Sequence, residues 1–229
     1  MTATLRGLVA TGCRVLGREG HGDLVWGHVS ARDPRGRGAW MKAATWGFEE
    51  VDHRRVLLVS RDGEVQDGDG RRHAEYPIHT EVLAARPDVG AVVHTHAPHA
   101  VALAATGEPV RPLSHEGTLF TPPAVPRFEV SGDLILTPER GRQVAAALGS
   151  HRALFLVNHG IVTVGVDVPT AVLTAILLER ACRTQLLALH TGRALTWSDD
   201  AEALSKRDHC YSDELLGQAW DHLVRRLDA

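Results

Sequence analysis

One stretch constrains the fold more than any other: Gly90-Ala91-Val92-Val93-His94-Thr95-His96, an apolar run that ends in two histidines one residue apart. A short β-branched run of this kind reads as a buried strand. Strand side chains alternate between faces, so His94 and His96 project to one side and Thr95 to the other. Two imidazoles on one strand face can both reach one ion, at about 2.0–2.1 Å from each nitrogen. The plainer alternative is two unrelated strand-end histidines, one of them satisfied by a backbone carbonyl. The rigid run in front of them weighs against it. A third histidine, His99, follows on what reads as a helix and is expected to be structural.

Around this strand the chain mixes helical and extended patterns. "LRGLVATGCRVLGREG" has helical spacing with Gly20 as its stop. "GHVSARDP" and "RGAWMKAA" read as two short strands about a turn, and "RRVLLVSRDGEVQDGDG" as a strand, a D-G turn and a weaker strand. "EYPIHTEVLAARPDV" is a helix with Pro77 in its first turn and Pro87 at its end. "APHAVALAATG" is helical up to Gly107, and "RALFLVNHGIVTVG" is a strand pair broken at His159-Gly160. "DVPTAVLTAILLERACRTQLLALHTG" is a long amphipathic helix capped near Asp167 or Thr170 and stopped by Gly192, and the polar segment from about residue 197 is helical and superficial. Helices interleaved with hairpin-joined strands predict one α/β domain over residues 1–229 with a central mixed sheet.

Composition excludes several function classes. A net charge of −3, with arginines clustered at most in pairs, gives no basic surface for nucleic acid. No run approaches the roughly 18 apolar residues that span a bilayer, so no membrane partner is expected. The N-terminal stretch lacks the layout of a signal peptide. Cys13, Cys182 and Cys210 are odd in number and form no C-x-x-C pair, which points to a reducing cytoplasm and away from cysteine as a metal ligand. Histidine, with 14 copies, is the unusual residue.

Three familiar H-x-H scaffolds fit badly. A metallo-β-lactamase-type motif needs Asp where Pro98 stands, a cupin needs a nearby glutamate on an all-β chain, and an amidohydrolase barrel needs many more residues than follow His96. A fourth fits. "GHVSAR", "EYPIHTEVLAARPDVGAVVHTHAP" and "LVNHGIVTVG", in this order and spacing, resemble the class II aldolase/adducin family from about residue 5 to about residue 195. The resemblance implies a three-layer αβα sandwich with a mixed, largely antiparallel sheet. It also implies that His94, His96 and His159 hold one divalent metal ion per subunit, Zn2+ foremost, with Mn2+, Fe2+ or Co2+ as alternatives. Glu75 then matches a carboxylate that either ligates the ion or acts as acid/base, and the family implies a homotetramer with sites between subunits. Three neutral imidazoles leave such an ion at net charge +2 with open positions, a Lewis acid rather than a sealed structural site. His79, one helical turn after Glu75, either orients that carboxylate or is a packed helix histidine.

The chain departs from the sugar-phosphate members of that family. Their loops of small donors correspond here to "WGHVS", "MKAATWGFEE" and "HAE", which carry His28, Trp46 and His73. Expected substrate contacts are therefore Trp26, His28, Ser30, Lys42, Trp46 and His73, an aromatic mouth better suited to a flat or partly apolar carboxylate than to a phosphate. Lys42, Arg71 and Arg72 are cations that could take a carboxylate. "GHVS" together with "RPLSHEGTLF" is similar to the branch containing decarboxylases of hydroxylated aromatic or ring-cleavage acids. Where the aldolases use a tyrosine from a neighbouring subunit as proton donor, this chain offers His115 and Glu116, with Tyr211 in the tail as a substitute. The implied activity is a metal-dependent carbon–carbon lyase, most simply a decarboxylase whose metal stabilises an enolate-like intermediate. Alternatives are an aldolase for a hydroxy-keto substrate and a three-His Fe(II) oxygenase. A non-catalytic module of the adducin-head kind is disfavoured because the histidines and Glu75 are all retained.

Overall fold

The β-branched runs and their polar turns assemble into one eight-stranded sheet in the computed structural model, which describes residues 4–228. Its strands are β1 (His28–Arg32), β2 (Ala39–Lys42), β3 (Val56–Val59), β4 (Val65–Asp67), β5 (Ala91–Thr95), β6 (Arg127–Phe128), β7 (Ala153–Leu156) and β8 (Gly160–Gly165). The order is β4-β3-β2-β1-β5-β8-β7-β6. Every pairing is antiparallel except that of β6 with β7. β5 lies in the middle, flanked by β1 and β8, and all five of its residues are buried. That position explains why its valines are apolar on both faces.

Helices cover the two faces. On one side α1 (Leu5–Leu16), α3 (Pro98–Thr106) and α6 (Val168–His190) pack over a core that includes Val9, Val29, Val93, Leu103, Ile161 and Val172. On the other, α2 (Tyr76–Ala85) and α5 (Pro138–Leu148) enclose Ile78, Val82, Val92, Val144, Leu154 and Val162. Val92 and Val93 thus serve opposite cores, as strand alternation requires. A one-turn helix, α4 (His115–Thr118), and the C-terminal α7 (Asp200–Cys210) and α8 (Asp213–Arg225) extend the α6 side. This is the three-layer αβα arrangement with a mixed, largely antiparallel sheet that the family resemblance implied.

Some boundaries differ. α5 was not among the expected elements, although Thr137 caps it through Arg140 N and Pro138 opens it. The C-terminal segment is two helices rather than one, interrupted where Ser212 caps α8. α1 continues through a wider turn to His21, which Gly20 closes at φ 85°. α3 has no side-chain cap of its own. Glu179 of α6 supplies one instead, accepting from the backbone N–H groups of His99 (3.0 Å) and Ala100 (2.8 Å) and pairing with His99 Nδ1 at 2.6 Å. His99 is thereby structural, as expected. Among the described residues, no helix is long and apolar enough to cross a membrane.

Candidate functional site

Four side chains from separate parts of the sequence converge at one end of β5. Glu75 stands at the start of α2, His94 on β5, His96 just past it, and His159 in the β7–β8 turn. One ligand atom from each lies within 4.8 Å of the others. The turn that delivers His159 depends on its neighbours. Asn158 takes a left-handed conformation at φ 60°, which asparagine tolerates better than most residues. Gly160 leaves room for the H-x-H pair: a Cβ there would sit 2.6 Å from Thr95 O, 3.0 Å from His96 Cδ2 and 3.1 Å from His94 Cε1. The histidine and the glycine of "NHG" therefore do separate work, one offering a ligand and the other a gap.

The hydrogen bonds assign the tautomers. His94 donates from Nδ1 to Ile161 O at 2.9 Å, and His96 donates from Nδ1 to Asp23 Oδ2 at 2.7 Å. Each ring is left with its Nε2 lone pair, and these two nitrogens face each other at 3.2 Å. Two lone pairs at that separation repel unless a cation or a proton lies between them. Both ring nitrogens of His159 are buried without a hydrogen-bond partner among the described residues. Glu75 Oε1 accepts from Ile135 N at 2.8 Å, while its two oxygens lie 3.6 Å from His159 Nε2 and 3.8 Å from His94 Nε2. Orphaned imidazole nitrogens beside one carboxylate are the donor set of a borderline divalent metal, so the residues present fit such an ion.

Electrostatics keep these donors available. Burial pushes His73, His79 and His94 down to about 3 and His28 well below the usual histidine range, so the rings are neutral at physiological pH. Burial would raise Glu75, but the imidazoles of His159 and His94 and the Ile135 amide outweigh it and hold the carboxyl below its ordinary value.

A cavity of about 340 Å³ opens beside the cluster, walled by Asp23, Trp26, His28, His73, Leu134 and Asn158. Of the expected substrate contacts, Trp26 stands half-exposed at its mouth and His28 and His73 form its wall. Ser30, Lys42 and Trp46 do not line it. Ser30 is buried against His79. Lys42 is buried completely and donates to Val25 O and His73 Nε2, both at 3.0 Å, so it meets a substrate only through His73. Trp46 lies under the Arg55 guanidinium. His79 spends its two nitrogens on His28 and Ser30, at 2.6 and 2.7 Å, rather than on Glu75. His115, Glu116 and Tyr211 lie outside the cavity, on the α6 side: His115 Nδ1 is 3.6 Å from Cys210 Sγ, and Tyr211 lines an apolar cleft with Leu173 and Ile176. Asp23, Leu134, Asn158 and the Ile135 amide were not anticipated. Only Asn158, directly before the histidine of "NHG", carried a signal that could have been read.

Residues 7–186 match the model of the Class II Aldolase and Adducin N-terminal domain. The chain belongs to the class II aldolase/adducin family. A 3,4-dihydroxyphthalate decarboxylase from a Terrabacter species is 31% identical over 98% of this chain and 98% of its own length. A 4-hydroxy-3-prenylphenylpyruvate oxygenase/4-hydroxy-3-prenylbenzoate synthase from Streptomyces roseochromogenus subsp. oscitans is 33% identical over 75% of this chain and 63% of its own. Among solved structures, the L-fuculose 1-phosphate aldolase of Glaciozyma antarctica PI12 superposes with a TM-score of 0.85 at 26% identity, covering 98% of this chain and 88% of that one. The class II aldolase fold implies a divalent metal, and the Glu75, His94, His96 and His159 cluster offers a place for it.

Proposed function

We propose that this class II aldolase-family lyase is a decarboxylase of a hydroxylated aromatic or ring-cleavage carboxylic acid. The observation that carries the reading is the cavity wall: an indole face and imidazole edges stand beside the ligand cluster, where a phosphate cradle would need small hydroxyl and amide donors. Relatives named as decarboxylases support it. His94, His96 and His159 would hold one divalent ion, zinc in this reading, with Glu75 completing the set or standing next to it. Such an ion supplies a Lewis acid that stabilises the negative charge developing on the substrate as CO2 leaves.

The chain's own residues do the rest. Trp26 offers an apolar face for a ring at the mouth. His28 and His73 orient the bound acid from the wall, and Lys42 holds His73 in place by donating to its Nε2. Glu75, tethered at Oε1 by the Ile135 amide, has its second oxygen beside the cavity; ionised at rest, it would first take the proton of a substrate hydroxyl and then return it to the carbon that has lost CO2. His115, Glu116 and Tyr211 would serve only from a neighbouring subunit of the homotetramer that the family suggests. A cytoplasmic enzyme is in keeping with the free thiols.

The test is metal analysis of a native preparation coupled to a CO2-release screen of hydroxylated aromatic carboxylates. CO2 without aldehyde supports the decarboxylase. Aldehyde or dihydroxyacetone-type products would replace it with the aldol cleavage that the likeness to fuculose phosphate aldolase favours. Oxygen consumption with bound iron, and no anaerobic reaction, would favour the chemistry named for the Streptomyces relative.

A further inference from the structure

Behind the cavity wall, three side chains form a row from the sheet into the site. Ser30 Oγ lies 2.7 Å from His79 Nδ1, and His79 Nε2 lies 2.6 Å from His28 Nδ1. The far nitrogen of His28, Nε2, faces the cavity 3.9 Å from Glu75 Oε2. Ser30 and His79 are fully buried and His28 nearly so. His28 is also the cross-strand partner of His94, which sets it against the ligand cluster.

A neutral imidazole carries a single N–H, so the row can run in two directions only. Either Ser30 donates to His79, His79 donates to His28, and His28 points an Nε2–H into the cavity, or every bond is reversed and His28 points a lone pair there. Two observations separate these. His79 Nδ1 is the one hydrogen-bond partner of the Ser30 hydroxyl among the described residues. If Ser30 accepted from it, its own O–H would be stranded in the core, whereas a donating hydroxyl leaves only unused lone pairs. At the other end, the reversed row would aim a lone pair at the Glu75 carboxylate, and the forward row aims an N–H at it.

We propose that Ser30 and His79 are positioning residues that fix His28 as an N–H donor, its Nε2–H directed into the cavity to bind an anionic oxygen, carboxylate or phenolate, of the substrate. The ligand class rests on the function proposed above; the direction of the row does not. A serine and two histidines, which separately look like a strand serine, a helix histidine and a loop-end histidine, act as one unit. The same unit selects against a substrate group that can only donate at this point, because the His28 ring is then left with an N–H and no acceptor.

The direct test is long-range proton–nitrogen correlation NMR on zinc-loaded protein with isotope-labelled histidine, the His28 signals being identified by their loss in His28→Asn. His28 and His79 are expected to carry their protons on Nε2. Ser30→Ala should turn His28 into a mixture of tautomers, and Ser30→Thr, which keeps the hydroxyl, should restore the single one. Salicylate serves as the carboxylate probe. Its dissociation constant should rise roughly three- to tenfold in Ser30→Ala at unchanged zinc content, and stay near the wild-type value in Ser30→Thr. A wild-type His28 protonated on Nδ1 overturns the proposal, as does a tautomer that Ser30→Ala leaves untouched. If the wild-type enzyme ignores salicylate while His28 carries its proton on Nε2, the carboxylate-substrate reading fails and the row stands.

Discussion

Replacing Asp23 by asparagine isolates the carboxylate that stands behind His96. Asp23 Oδ2 accepts from His96 Nδ1 at 2.7 Å. That bond fixes the ring's tautomer and turns its Nε2 toward the His94 Nε2, 3.2 Å away. Carboxylates in this position orient a metal-binding imidazole and raise its basicity, and losing one lowers metal affinity by roughly 10–100-fold. Here the side chains are 22% (His96) and 39% (Asp23) exposed, so water screens the pair and the lower end applies. A loss of about tenfold, or about 1.4 kcal/mol, is expected for Asp23→Asn. Asp23→Ala, which removes the acceptor as well as the charge, should lose more. The assay is competition with a chelating dye in zinc-buffered solution. Urea unfolding of the chelator-treated protein is the control, since the Trp26 N to Asp23 O turn is a backbone bond that neither substitution removes. Zinc affinities within roughly twofold of wild type for both variants would refute the reasoning, because a carboxylate that sets the donor nitrogen cannot be dispensable.

Four further outcomes follow from the structure. His159→Ala should abolish tight metal binding yet change metal-free stability by less than about 1 kcal/mol, because it removes two ring nitrogens that have no partner among the described residues. His94→Ala, fully buried and bonded to Ile161 O, should cost about 2–4 kcal/mol as well, and equal urea midpoints for the two variants would contradict this. Gly160→Ala puts a methyl 2.6 Å from Thr95 O, so the H-x-H segment has to shift; a stability loss of about 1–3 kcal/mol with a larger proportional loss of zinc affinity is expected, and an unchanged zinc titration would sink it. Burial pushes His21 down to about 4, against the opposing charges of Glu179 and Glu19. The unfolded chain therefore takes up a proton near pH 6.5 that the folded chain refuses until about pH 4, and up to about 3 kcal/mol is lost as pH falls through that window. Urea titrations in chelator should show wild type losing more stability than His21→Gln between these limits; parallel curves would argue against it.

The H-x-H pair was legible in the sequence because strand alternation is local: two residues apart on a strand means one face. Glu75 and His159 join it only through tertiary pairing, and the family resemblance, not spacing, brought them in. Asp23 was invisible because a loop aspartate with one histidine partner looks like any solvated aspartate. His79 shows the limit of helical reasoning. Its position one turn after Glu75 was read along the helix, whereas its partners, His28 and Ser30, belong to β1, which runs beneath it. Lys42 and Ser30 were expected as substrate contacts because they lie in segments that match the family's substrate loops, yet both are strand residues here. Both side chains turn inward, and each touches a cavity-wall histidine directly or through another residue. The alternating and helical periods were enough to predict helices around a mixed sheet, and the three layers came with the family resemblance, while α5 escaped notice despite its Thr-Pro-Glu opening.

The Ile135 amide has a consequence for how Glu75 can move. With Oε1 pinned to a backbone N–H in the buried interior, the carboxylate cannot leave its seat without orphaning that donor. The untethered Oε2 is the freer of the two oxygens, 3.8 Å from His94 Nε2 and 3.9 Å from His28 Nε2. The residue 134–136 segment sets the position of that tether, and Leu134 and Leu136 on either side of Ile135 are both half-exposed. Whatever packs on those two leucines therefore bears on where the Glu75 carboxylate sits, without touching the carboxylate itself.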